Sequence, residues 1–200
     1  MRSDQKGAVS FLFLIDTSGS MHGQKISAVN AVLAECFDEM RDTDACGGFK
    51  IYIGAAVFHE EIKVIQEAGR ALQDLACAAV EKGEDGFWPV TSYACLYRGL
   101  REILDERKAW REECERLYIF LVTDGKPADT GEYAEEMELT ANNSRYKKAD
   151  RYVVFVGEES DRFREDMLHF VDYKADKILK LEDLTGEVSK ITAILAALEP

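Results

Sequence analysis

Short apolar runs alternate along this sequence with segments in which apolar residues recur at helical spacing. Two runs, residues 9–15 and 117–123, are apolar almost throughout, which is typical of strands buried on both faces of a sheet. A third run of this kind spans residues 152–156. Strands that alternate with helices of ten to fifteen residues predict right-handed βαβ units. The chain should therefore form a parallel sheet with helices on both faces.

The remaining segments extend this pattern to a doubly wound, Rossmann-like three-layer α/β/α sandwich with a mostly parallel sheet of about six strands. Residues 61–66 alternate polar and apolar side chains, which favours a short antiparallel strand at one edge. Two further strands are predicted at residues 49–58 and 177–181. Helices are predicted from apolar spacing at 26–40, 71–81, 96–104, 132–146 with an interruption at the Asn142-Asn143 pair, 163–171 and 188–198.

The length of the chain and its cysteines bear on domain organisation and location. A length of 200 residues fits one domain, so we predict a single domain over residues 1–200 with a core at about 8–198. The first apolar run ends after seven residues at Asp16, which is too short for a signal-peptide core or a membrane span. The five cysteines form no CxxC pair, which argues against a zinc site or a disulfide framework. We therefore expect a cytoplasmic protein.

The charge of the chain restricts its partners. The formal net charge is −13, and such a surface repels the phosphates of nucleic acids and the headgroups of anionic lipids. We therefore expect neither a nucleic acid nor a membrane as a partner. The same charge favours cations or a basic patch on another protein, although acidity also serves simply to keep a protein in solution.

Polar side chains that can bind a metal directly follow two of the apolar strands. Asp16, Ser18 and Ser20 come after the first strand, and Asp124 comes after the strand that ends at residue 123. Ligands of such sheets bind outside the carboxyl ends of the strands. If the two strands are neighbours, these side chains face one crevice, which Thr91 reaches from the loop before a helix. Two carboxylates and three hydroxyls favour a hard cation, Mg²⁺, with Mn²⁺ or Ca²⁺ as alternatives.

These residues resemble a known family. The run Asp16-Thr17-Ser18-Gly19-Ser20 matches the DxSxS signature of the von Willebrand factor A domain. Thr91 stands where that family has its metal-binding threonine, and Thr123-Asp124-Gly125 matches the family's second aspartate. The resemblance covers residues 9–197, including the order of strands and helices. It implies a von Willebrand factor A fold with a metal-ion-dependent adhesion site.

The resemblance also implies a role for each residue of the site. Ser18 and Ser20 would ligate the metal directly, and Asp16 would act mostly through water. Thr91 and Asp124 would exchange direct and water-mediated roles. Because two carboxylates only neutralise a divalent ion, an open coordination position would remain attractive to a Glu or Asp carboxylate of a protein partner.

The loop before Thr91 departs from many bacterial relatives, which carry Gly-Gly there. Here the segment is Trp88-Pro89-Val90, which is bulkier and stiffer. Ser92 is therefore an alternative ligand to Thr91. Trp88 and Tyr93 either form part of a rim that faces a partner or pack the loop onto the sheet.

The expected function is that of a metal-dependent protein-interaction module without enzymatic activity. The single-domain form and the run at residues 124–129 resemble the bacterial group associated with tellurium resistance and stress response, which implies an intracellular scaffold or adaptor. The sequence names neither the partner nor the oligomeric state.

Two alternatives remain open at the level of sequence. A magnesium-dependent phosphoryl-transfer hydrolase using Asp16 would need a second aspartate two residues later as its acid and base, and that position is Ser18. The motifs GxxxxGK[ST], GxGxxG after the first strand and GxSxG are absent. The other alternative, a small-ligand binder, would need a deep apolar pocket beside the metal.

Overall fold

The predicted three-layer α/β/α architecture is confirmed. The computed structural model describes residues 7–46, 50–68, 78–84, 86–106, 114–125, 127–129, 133–157 and 164–197. Six strands of this part of the chain form one sheet in the order β3-β2-β1-β4-β5-β6. The short strand β3 pairs antiparallel with β2, and every other pairing is parallel. The strands are β1 (Ala8–Asp16), β2 (Lys50–Phe58), β3 (Ile62–Gln66), β4 (Cys114–Thr123), β5 (Asp150–Phe155) and β6 (Ile178–Lys180).

Helices cover both faces of the sheet. The helices are α1 (Gln24–Cys46), α2 (Tyr93–Glu106), α3 (Ala134–Ala141), α4 (Ser144–Lys148), α5 (Arg164–Phe170) and α6 (Leu184–Ala197). Alternate residues of β1 point to opposite faces, as the pleat of a strand requires. Phe11 and Phe13 join the core formed with α1 and α6, whereas Leu12 and Leu14 join the core formed with α2, α4 and α5. Every residue of β1 is buried, which explains its unbroken apolar run.

Most predicted elements are present with shifted ends. The interruption predicted at Asn142-Asn143 separates α3 from α4, because the Asn143 side chain caps α4 by accepting from Arg145 N at 2.9 Å and Tyr146 N at 3.3 Å. The closing helix begins at Leu184, earlier than its apolar spacing indicated. In the described part of the chain, no helix is long and apolar enough to cross a membrane.

The prediction of a helix at residues 71–81 is wrong for its last four residues. Residues 71–77 lie outside the described part of the chain, and residues 78–81 are not helical. Asn30 of α1 explains this difference. Its side chain donates to Ala78 O at 2.9 Å and accepts from Ala78 N at 3.0 Å. Both backbone groups of Ala78 are therefore bonded to another helix, which removes them from helical hydrogen bonding.

Gly99 is the point of closest approach between α2 and the edge strand β3. A Cβ at Gly99 would lie 2.0 Å from Cγ2 and 2.9 Å from Cβ of Ile62. We expect Gly99→Ala to lower the free energy of unfolding by about 2 kcal/mol, since the cost of overpacking exceeds the gain in helix propensity. Urea denaturation followed by circular dichroism measures this difference.

Gly186 provides a matched control on α6. A Cβ there meets nothing within 4 Å, so Gly186→Ala should raise the free energy of unfolding by about 0.5–1 kcal/mol. If both variants are stabilised, α2 and β3 do not pack as closely as described.

Candidate metal site

The site lies at the carboxyl edge of the two central strands. Asp16 is the last residue of β1, and Asp124 directly follows Thr123, the last residue of β4. These strands are neighbours and run parallel, so both aspartates emerge at the same edge of the sheet. Thr91 lies just before α2 and forms an isolated bridge with Pro127, which attaches its loop to the segment after Asp124. Residues distant in sequence therefore meet in one crevice.

Asp16 is fully buried and held by neutral hydrogen-bond donors. Its Oδ1 accepts from Ser18 N at 2.8 Å, and its Oδ2 accepts from Thr123 Oγ1 at 2.7 Å and Thr91 Oγ1 at 3.3 Å. Burial raises the pKa of the Asp16 carboxyl above its usual value, while the hydrogen bonds from Ser18 and Thr123 act in the opposite direction. A buried carboxylate whose donors are all uncharged favours a nearby cation.

Asp124 has one paired oxygen and one unpaired oxygen. Its Oδ2 accepts from Lys25 Nζ at 2.8 Å, and its side chain is 1% exposed. Within the described residues, no group donates a hydrogen bond to Oδ1, which is buried. A buried acceptor without a partner is costly unless a ligand satisfies it. The second carboxylate of the site therefore also fits a cation.

Lys25 was not among the site residues predicted from the sequence. It lies in the first turn of α1, and its side chain is 34% exposed. Its stem passes Gly157, where a Cβ would lie 3.5 Å from Lys25 Cε. Gly157 has a φ of +114°, a conformation that favours glycine. The Lys25 stem therefore passes close to Gly157, two residues after the end of β5, and places the ammonium group at Asp124.

The two serines lie on the short helical turn Gly19–Met21 and next to it. Ser18 is buried, Ser20 is exposed, and their Oγ atoms are 3.1 Å apart. Gly19 between them donates from its backbone N to Pro89 O at 2.8 Å. A Cβ at Gly19 would lie only 2.5 Å from Cβ of Trp88, so the close approach of the two loops requires glycine there. Ser20 therefore offers a neutral oxygen at the open side of the site, and Ser18 offers one beneath it.

Thr91 and its alternative Ser92 face different groups. Thr91 Oγ1 contacts Asp16, whereas Ser92 Oγ donates to Asp129 Oδ2 at 2.8 Å and accepts from Cys95 N at 3.1 Å. Ser92 therefore caps α2, and Thr91 is the hydroxyl that points into the crevice. The structure brings together the five predicted residues, and their role as metal ligands stays a prediction.

Asp129 supports the site in a way that sequence reasoning missed. Its carboxylate accepts from Tyr93 N at 3.0 Å and Ala94 N at 2.8 Å, in addition to the hydroxyl of Ser92. Asp129 thus accepts hydrogen bonds from the first backbone N–H groups of α2, which have no partner within the helix, and it holds Ser92, the residue next to Thr91, in place. The only signal in the sequence is an aspartate five residues after Asp124, and no local rule connects it to a helix that begins at Tyr93.

We expect Asp129→Ala to lower the free energy of unfolding by about 2 kcal/mol, because three donors at the amino end of α2 lose their acceptor. Guanidinium denaturation in EDTA measures the change. Asp38→Ala is the matched control: Asp38 pairs with Arg41 on the surface, its side chain is 70% exposed, and its loss should cost less than about 0.5 kcal/mol. Equal losses in the two variants would contradict the capping role.

The aromatic residues near the site take different positions. Trp88 is 41% exposed, and its ring centroid lies 4.3 Å from that of the exposed His22. Tyr93, the first residue of α2, is 2% exposed, and its ring packs edge-on against the rings of Tyr97 and Tyr133. Trp88 therefore belongs to the rim of the site, and Tyr93 belongs to the core.

No model of a known protein family matches the sequence, and no match to a curated protein was found. Solved structures do match. Proximal thread matrix protein 1 from the mussel byssus superposes with a TM-score of 0.65 at 13% identity, covering 96% of this chain and 49% of that one. Protein BatB from Bacteroides thetaiotaomicron superposes with a TM-score of 0.59 at 14% identity, covering 96% of this chain and 99% of that one. The chain has a von Willebrand factor A-like fold.

Two further matches extend the comparison of von Willebrand factor A-like structures. The pilus adhesin SpaC from Lactobacillus rhamnosus GG has a TM-score of 0.64 at 10% identity, covering 96% of this chain and 30% of that one. Another structure of the mussel protein has a metal-ion-dependent adhesion site occupied by zinc. It superposes with a TM-score of 0.54 at 12% identity, covering 96% of this chain and 48% of that one. This chain spans about half the length of the mussel protein.

Proposed function

We propose that this von Willebrand factor A-like chain is a metal-ion-dependent binding module. The main support is that two buried carboxylates, Asp16 and Asp124, lie together at the ends of adjacent strands. Within the described residues, Oδ1 of Asp124 has no hydrogen-bond partner. The proposed ligand set is Asp16, Ser18, Ser20, Thr91 and Asp124. All five offer oxygen, so Mg²⁺ is the expected metal, with Mn²⁺ and Ca²⁺ as alternatives.

The proposed partner is a protein that presents a Glu or Asp side chain. A bound divalent ion would supply a Lewis-acidic position that an incoming carboxylate can occupy. The chain's own residues would support this step. Ser20 is exposed at the open side of the site, whereas Asp16 and Ser18 are buried beneath it. The positive charge of Lys25 also lies beside Asp124 and favours the approach of an anion.

The chemistry of Asp16 supports binding rather than catalysis. Both of its oxygens already accept hydrogen bonds, and the residue is fully buried, so it is poorly placed to attack a substrate. The residue two positions later, Ser18, offers no carboxyl group for acid–base chemistry. We therefore propose no enzymatic role.

We further propose a single-domain cytoplasmic scaffold or adaptor in bacterial stress response, of the kind associated with tellurium resistance. The run at residues 124–129 and the absence of CxxC pairs support this proposal. Cys36 and Cys95 are free thiols, which suits a reducing compartment.

Calorimetry on EDTA-stripped protein tests the proposed function. Wild type should bind Mg²⁺ saturably with one ion per chain, and titrations with Mn²⁺, Ca²⁺ and Zn²⁺ rank the metals. The double variant Ser18→Ala/Ser20→Ala should lose most of this affinity while both aspartates remain.

A second step tests the carboxylate partner. A blocked Gly/Ser peptide with a single Glu should bind in Mg²⁺ and not in EDTA, and the same peptide with Gln should not bind in either. Weak, equal Mg²⁺ binding by wild type and the double variant would overturn the metal site. Saturable Mg²⁺ binding without any Glu-peptide binding would overturn the carboxylate mode.

A further inference from the structure

A groove with exposed aromatic side chains lies beside the candidate metal site. It has a volume of about 520 Å³, and we call it the aromatic groove. Phe87 and Trp88 in its wall are 74% and 41% exposed, which is unusual for large apolar side chains. Its lining also includes Glu60, Glu81 and Glu84.

The aromatic groove is continuous with the rim of the metal site. Pro89 lines the groove, and its carbonyl accepts the backbone N–H of Gly19 at 2.8 Å. On the same side, the Trp88 ring packs against His22, which follows the turn that carries Ser20. One extended partner segment can therefore contact both the metal site and the groove.

The charge of the groove is complementary to a cation. Among the lining residues that the structure describes, three are exposed glutamates and one is a lysine, Lys82. The Lys82 ammonium lies 5.2 Å from the centroid of the Trp88 ring, so this ring face already attracts a positive group. An apolar aromatic wall beside carboxylates suits a side chain with an apolar stem and a charged end.

Arginine matches these features better than lysine does. Its planar guanidinium stacks on aromatic faces and binds carboxylates through two parallel hydrogen bonds. An arginine on a partner would therefore contact the Trp88 ring and the glutamates together. The net charge of −13 acts in the same direction by attracting a basic segment.

We propose that the aromatic groove binds an arginine of the same partner segment whose carboxylate occupies the metal site. This inference rests on the proposed function and deepens it. The ligand is an extended protein segment with an acidic residue and an arginine separated by a short spacer. The metal site anchors the segment, and the aromatic groove selects among acidic segments.

Fluorescence anisotropy with labelled, blocked Gly/Ser peptides tests this proposal. One peptide carries Glu alone, a second series carries Glu and Arg with spacers of increasing length, and a third carries Gln and Arg. Each is titrated in Mg²⁺ and in EDTA. At the best spacing, the Glu/Arg peptide should bind about tenfold more tightly than the Glu peptide in Mg²⁺.

A surface variant separates the groove from the metal site. Glu60→Gln/Glu81→Gln/Glu84→Gln removes the three charges without changing size, and all three residues are exposed, so the fold should be unaffected. The variant should lose the tenfold gain from arginine and keep its affinity for the Glu peptide. Lys82→Met should strengthen binding of the Glu/Arg peptide, because it removes the competing cation at Trp88.

The outcomes distinguish the two proposals. If Glu/Arg peptides bind no more tightly than the Glu peptide at any spacing, or if the triple variant keeps the gain, the groove inference is overturned alone. If no Glu peptide binds in Mg²⁺, the carboxylate mode of the proposed function is overturned. In that case, Gln/Arg binding that the triple variant weakens supports the groove, and its absence overturns the groove as well.

Discussion

Asp16→Asn is expected to abolish stabilisation by magnesium without destabilising the protein in EDTA. The wild type should gain about 2.7 kcal/mol of unfolding free energy at a Mg²⁺ concentration of 100 times Kd, and the variant should gain none. Asparagine keeps the size of Asp16 and can still accept from Ser18 N. The hydroxyls of Thr91 and Thr123 can each accept a hydrogen bond from the new amide group.

The pKa of Asp16 determines whether Asp16→Asn raises or lowers the free energy of unfolding in EDTA. Burial raises this pKa, so the contribution of Asp16 to stability is complete below its unfolded value of 3.8 and is lost as pH rises through the folded value. At pH 7 the buried carboxylate is therefore unfavourable, and a neutral amide removes this cost. The variant should be as stable as the wild type in EDTA, or more stable.

Thermal unfolding at pH 7 with and without Mg²⁺ measures both effects. Asp38→Asn is the control, because it makes the same change of charge at an exposed surface position and should keep the full magnesium effect. A normal magnesium response in Asp16→Asn would rule out Asp16 as part of the site.

Lys25→Met is expected to strengthen magnesium binding by about tenfold and to weaken the fold in EDTA. Lys25 Nζ lies 2.8 Å from Asp124 Oδ2 and competes with any other cation at that carboxylate. Removing the ammonium lowers the repulsion that a divalent ion meets. In EDTA the same change leaves the buried Asp124 without its charged partner.

The expected loss of stability in EDTA is about 1–3 kcal/mol, less than for a fully buried pair because Lys25 is one third exposed. Lys25→Arg keeps the charge and should leave magnesium affinity within about threefold of wild type. Calorimetry and denaturant melts measure the two quantities separately. Weaker magnesium binding by Lys25→Met would show that Lys25 supports the metal rather than competing with it.

The strands were predictable because the burial of each strand determines the order of apolar and polar residues along it. β1 is buried at every position, and β4 and β5, the next two strands of the sheet, are buried over most of their lengths, so each appears as an apolar run. The antiparallel edge strand β3 is half-buried and alternates accordingly. Each of these signals is local, and a reader of the sequence needs no knowledge of the partner strand.

Contacts between distant residues were not predictable in this way. Lys25 and Asp124 are 99 residues apart, and Asp129 caps a helix that begins 36 residues before it. Asn30 bonds to the backbone of Ala78, 48 residues away, where helical spacing had indicated a helix. Neither propensity nor periodicity contains information about such pairs, because each depends on which segments the fold brings together.

The position of the site between β1 and β4 has a consequence for folding kinetics. Asp16 and Asp124 meet only when strands from distant parts of the chain have paired, and such pairing requires closure of a long loop. A metal held by these residues would act on contacts that are expected to form late in folding. Magnesium should therefore slow unfolding much more than it accelerates folding, and its main effect would be to lengthen the lifetime of the native state.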